Sequence, residues 1–179
     1  MFRKKILWVL LGGILISCHV NSEQPETKPK LKVEVDGFPG GQDVPEGVAC
    51  ELARSFINRD AKLFRSICIR KYGAGAGPTK YVEFLQRTAK SIEDEAKKAA
   101  PSPGGPKKIS KVYAARHLSK SGPASYGFAA FQFQEVMFVD VFVELHNGDG
   151  FLNRTLVIKD KDGKWYVHPA PDVSPLLSM

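Results

Sequence analysis

At Ile109 the apolar residues of this chain stop recurring at helical spacing and begin to alternate. Upstream, Val48, Ala49, Leu52, Ala53, Phe56 and Ile57 fall three and four apart, the stripe that one helix face requires. Downstream, Met137, Val139, Val141, Val143 and Leu145 fall two apart and line one side of a strand. Helices first and strands afterwards exclude an alternating parallel architecture. They predict an α+β fold in which helices cover one face of an antiparallel sheet.

The helical half is punctuated by caps. Asp43-Val44-Pro45-Glu46 has an acid at the N-cap, a proline in the first turn and Glu three residues on, the pattern of a capping box. Asn58-Arg59 breaks the first helix, and Asp60 caps a second that carries Leu63, Phe64, Ile67 and Cys68. So tight a connection folds the pair back as a hairpin. Cys50 and Cys68 then come to similar heights, which leaves a disulfide and two buried thiols both open. Gly73-Ala74-Gly75-Ala76-Gly77 lacks the Lys-Ser/Thr of a phosphate-binding loop, and Pro78 stands where a backbone donor is needed. A third helix, capped by Thr79, turns Tyr81, Phe84, Leu85, Thr88 and Ile92 inward and stops at the proline- and glycine-rich stretch 101–106.

The second half reads as a meander of four to five strands. Residues 109–119 form the first, and 126–145 form a long β stretch with its break at Gln134-Glu135. His146-Asn147-Gly148-Asp149-Gly150 is the strongest hairpin signal in the chain. Residues 151–159 return, Asp160-Lys161-Asp162-Gly163 turns again, and 164–168 close the sheet.

The N-terminus carries a different kind of information. Arg3, Lys4 and Lys5 precede an apolar run from Ile6 to Ile16 that rises only about 17 Å as a helix, against roughly 30 Å of bilayer hydrocarbon. That is the layout of a secretory signal. It ends in Leu15-Ile16-Ser17-Cys18, which resembles the lipobox of bacterial lipoproteins. The resemblance implies cleavage after Ser17 and acylation of Cys18, a durable anchor since two or more chains are needed for stable attachment. With His19 rather than Asp after the cysteine, it implies sorting to the outer membrane where the envelope has one. Residues 18–42 read as a polar, proline-bearing tether of roughly 25–30 Å, with a brief alternation at Leu31, Val33 and Val35. The folded domain is placed at 43–175.

Loss of the signal lowers the formal charge from +7 to +4, too mild for a nucleic-acid binder in an exported chain. No Cys-x-x-Cys or His-x-x-x-His spacing suggests a metal, and no cofactor motif is present.

The first helix running into Asn58-Arg59-Asp60-Ala61 resembles the opening of nuclear transport factor 2-like domains. Lys161-Asp162-Gly163-Lys164-Trp165-Tyr166-Val167 resembles their closing hairpin. The resemblance implies a cone-like curved sheet around a pocket, and in the enzymes of that family an Asp or a His-Asp pair within it. Asp140 and His117 are the residues that could supply such a pair, with Tyr113, Arg116 and Tyr126 as further pocket residues. Alternation argues otherwise. Phe138, Asp140 and Phe142 share one face and the aliphatic residues the other, so the aliphatic side belongs to the core and Asp140 faces outward. The expected function is therefore a non-catalytic envelope lipoprotein. Its Phe138/Phe142 face would meet a protein partner or a second copy, and an isomerase- or hydrolase-type enzyme is the alternative.

Overall fold

A computed structural model describes residues 32–69, 78–117, 135–168 and residue 176. Three helices come first: α1 (Pro45–Ile57), α2 (Ala61–Ile67) and α3 (Pro78–Ala96). Five strands follow: β1 (Pro106–Val112), β2 (Arg116–His117), β3 (Glu135–Leu145), β4 (Gly150–Lys159) and β5 (Trp165–His168). All strand pairings are antiparallel, with β1 and β2 against β3, β3 against β4 and β4 against β5. This is the expected α+β class. The cysteine of the lipobox, the glycine-rich loop, Tyr126 and the side chain of Tyr81 lie outside the described residues.

The helices owe their ends to different devices. Asp60 caps α2 as its position predicts, its carboxylate accepting the Leu63 N–H at 2.9 Å. The expected capping box at α1 does not form. Val44 is the N-cap with no side-chain bond, because Glu46 accepts instead from Ala115 N–H at 2.7 Å and ties α1 to the β1–β2 connection. Arg59 takes the left-handed conformation (φ 54°) that closes the tight α1–α2 turn. Its guanidinium then donates to the carbonyls of Glu95 (3.1 Å) and Lys98 (3.2 Å), tying the α1–α2 turn to the end of α3.

The sheet buries the side that the alternation marked. Val139, Val141, Val143, Val157 and Val167 are wholly buried, in one core with Val48, Leu52 and Ala53 of α1 and Phe64 of α2. Each such aliphatic side chain removed from water contributes about 1.5–3 kcal/mol. Ala89 and Ile92 bring α3 onto the same core. So does Leu176, fully buried, its N–H donating to Asn153 Oδ1 at 3.1 Å. On the opposite face Val136, Leu156, Ile158 and Ile69 form a second, smaller cluster.

The expected first strand is split. β1 ends at Val112, Tyr113–Ala115 interrupt it, and β2 resumes at Arg116, with register shifts within β1. The hairpin at Asn147 forms as expected, with Gly148 at φ 92° and Asn147 Oδ1 accepting the Asp149 N–H. Gly150 is required for another reason: a Cβ there would lie 2.7 Å from Phe142 Cε1, so the ring can fold down over bare backbone.

The domain begins earlier than the composition implies. Residues 32–42, expected to belong to the tether, are docked on the helices and sheet. Val33 bridges Pro39, Gln42 exchanges two hydrogen bonds with the backbone of Trp165, and Arg54 clasps the turn between them. That stretch has few apolar residues, and what holds it is charge and backbone pairing, which an apolar count does not register.

Candidate functional site

Asp140 sits at the centre of β3 and is only 6% exposed although it faces away from the helices. Two arginines account for this. Antiparallel register sets Arg154 of β4 opposite it, and Arg154 pairs bidentately, Nε to Oδ1 at 2.8 Å and Nη2 to Oδ2 at 3.1 Å. Arg116, opposite Phe138 on β2, reaches the same carboxylate through Nη2. Hydrogen bonding from Arg154, with the attraction of both cations, holds the Asp140 carboxyl below its ordinary range despite partial desolvation. A general base needs the opposite shift. Asp140 is a fixed anion that positions two guanidinium groups.

His117 does not join it. It pairs with Met137, whose side chain points to the helix side, whereas Asp140 points to the other. Successive strand residues face opposite ways, so the one-residue offset between Arg116 and His117 puts the arginine beside Asp140 and the histidine across the sheet. The structure therefore does not bring together Asp140 and His117, the pair of the alternative enzyme reading, and Asp140 faces outward as the alternation implied. Tyr113 is 40% exposed, lies under the Lys111 ammonium at 4.6 Å from its ring centroid, and donates its backbone N–H to Asp140 O. Phe138 and Phe142 are half-buried on Asp140's side, Phe138 lying 5.9 Å from the Arg154 guanidinium. The face therefore carries Lys111, Tyr113, Arg116, Phe138, Asp140 and Arg154 together, with Leu152 (41% exposed) at its rim.

The helix side of the sheet is packed around the centres of β3 and β4. Its β4 polar groups are used internally: Asn153 and Thr155 are fully buried and bonded to each other at 2.9 Å, and Asn153 accepts from Leu176. A hollow of about 730 Å³ opens at the margin of the helix layer, between the 32–42 turn, α1, α2 and β1, and neither Asp140 nor His117 lines it. Cys50 and Cys68 are both buried as thiols. Cys68 leaves the helix in extended conformation to bridge Val167, so it follows the sheet instead of the seam between α1 and α2. Burial pushes the Cys50 thiol up to about 12, which leaves no thiolate at neutral pH. No cluster among the described residues could hold a metal ion.

Arg154 was the functional residue least visible in the sequence. Its signal is there in retrospect: it lies as far after Asn147 as Asp140 lies before it, so the hairpin at Asn147 pairs them.

The sequence matches no family model and no curated protein. A solved structure from Campylobacter jejuni, provisionally assigned as an NTF2-like transpeptidase, is similar at 17% identity and TM-score 0.47, over 70% of this chain and 98% of its own. Likeness at this level leaves activity, site and partner to the geometry above.

Proposed function

We propose that this chain is an envelope lipoprotein, anchored through Cys18, whose nuclear transport factor 2-like domain is a non-catalytic docking module. The observation that carries this reading is the division of the sheet into a filled side and an open one. The helix side is packed with aliphatic residues and Leu176. The other side presents aromatic and cationic groups at its exposed end, around Leu152, Tyr113 and Arg116. Asp140, held as an anion by two arginines, suits positioning better than proton transfer. The helix order and the closing hairpin at Trp165 support the family reading, while the lipobox supports the anchor. In this reading attachment comes from acylation of Cys18.

Two measurements test it. Cys18→Ser should abolish incorporation of labelled palmitate and move the protein out of the membrane fraction or leave it unprocessed. A cleaved C18S product that still fractionates tightly with membranes would count against the anchor. A photo-crosslinker at Leu152 should give a discrete adduct in cells, and one at exposed Lys90 on α3 should not. Equal labelling at both positions, or none at Leu152, would remove the docking face.

A further inference from the structure

We infer that the partner seated on this face is an acidic peptide segment, its carboxylates engaged by Arg116 and Lys111 with Arg154 behind them; this rests on the docking reading above. The face is unbalanced in charge. Arg116 and Arg154 both pair with one carboxylate and Lys111 stands over Tyr113 on the same face, while the neighbouring Lys108 and Glu144 cancel each other at 3.1 Å. In the sequence on either side of β2, residues 96–134 contain neither Asp nor Glu.

The cations are also presented in a particular way. Asp140 is 8% exposed in its side chain, whereas Arg116 and Arg154 are 60% and 45% exposed, so the carboxylate is sunk and the guanidinium groups stand above it. The Arg116 guanidinium has five N–H donors in a planar fork and meets Asp140 through Nη2. Such a fork fits a second carboxylate bidentately, and because Asp140 already restrains both side chains, less rotamer entropy is lost on binding.

Leu152, Tyr113 and Phe138 flank these groups, so the matching surface needs apolar side chains between its acids. A polypeptide supplies that mixture; an inorganic anion or a uronic-acid polymer does not. A lipid surface fits less well. The 32–42 turn through which the tether enters is clasped to α1, in the helix layer, and the charged face is on the opposite side of the sheet.

The test uses the full-length protein in detergent micelles, titrated with a short peptide alternating Glu and Leu. Its Gln counterpart, a polyuronate and phosphatidylglycerol vesicles serve as comparisons. The Glu peptide should bind, weaken with added salt, and lose about five- to tenfold in affinity with Arg116→Gln or Lys111→Gln, while Lys90→Gln changes nothing. Both substituted side chains are exposed at the rim, and thermal melts verify that the variants fold. Equal binding of the Gln peptide, the polyuronate or the vesicles would overturn the acidic-peptide assignment, as would indifference to R116Q and K111Q. In cells, the adduct formed from Leu152 should fall several-fold in the R116Q/K111Q background. An undiminished adduct leaves the docking face standing and sinks the acidic partner. An adduct of twice the chain's own mass assigns the face to a second copy and also overturns the inference. No adduct at all takes down both.

Discussion

Replacing Arg54 by Met is expected to cost about 2–4 kcal/mol and to release residues 36–40 from the domain. Arg54 is 8% exposed, in the last turn of α1, and its guanidinium is consumed by the 36–39 turn packed against it. Nε and Nη2 pair with both carboxylate oxygens of Asp36 (2.9 and 2.6 Å), and Nη1 and Nη2 donate to the carbonyls of Pro39 and Phe38 (2.8 and 3.1 Å). Glu51, one helical turn back, completes the set at 3.1 Å. Methionine keeps the aliphatic stem and leaves two carboxylates and two carbonyls to find water. Asp36 is partly exposed and can do so, which keeps the estimate below the full cost of a broken buried pair. Arg54→Lys should recover little, since one ammonium cannot span a carboxylate and two carbonyls together. Thermal unfolding, with hydrogen exchange over residues 34–42, measures both effects. An R54M protein that melts within a degree of the parent would show that the clasp contributes no net stability.

The second large effect is acid destabilisation through His168. This residue ends β5 opposite Leu156, and burial pushes its pKa down to about 4 from an ordinary value near 6.5. The folded protein therefore keeps His168 neutral where the unfolded chain takes up a proton. Its contribution is complete above about pH 6.5, is lost as the pH falls toward 4, and changes no further below that. The window amounts to about 2–3 kcal/mol. Asp140 and Asp36, both held below the carboxylate range by their arginines, work in the same direction but lower: their contribution is present above about pH 4 and disappears as the pH falls through their depressed values. Denaturant midpoints between pH 4 and 7 should slope for the parent protein and flatten for His168→Gln. A slope that persists unchanged in H168Q would assign the acid sensitivity to another group.

The period change at Ile109 was enough to order the elements and to say which side of β3 is buried. Val139, Val141 and Val143 had no alternative, because an all-aliphatic face in water is costlier than any arrangement that covers it. Asp60 and the Asn147-Gly148 turn were equally legible, since a cap and a left-handed glycine act within a few residues. What failed to show in the sequence were pairings between distant segments. Glu46 has the spacing of a capping box, yet it bonds to Ala115, which only the packed fold brings within 2.7 Å. Residues 32–42 have the composition of a linker, yet Arg54 and Trp165 hold them.

By itself, then, the sequence determined the α+β order, the buried face, the two hairpin turns and the expectation of an acylated Cys18, all of which follow from local spacing and local chemistry. Only the tertiary structure decided what Asp140 is for. A carboxylate on a strand can become a general base or a fixed anion according to the charge that surrounds it. That charge comes from Arg154 across the Asn147 hairpin and from Arg116 on the neighbouring strand β2, where a one-residue offset sends His117 to the far side of the sheet.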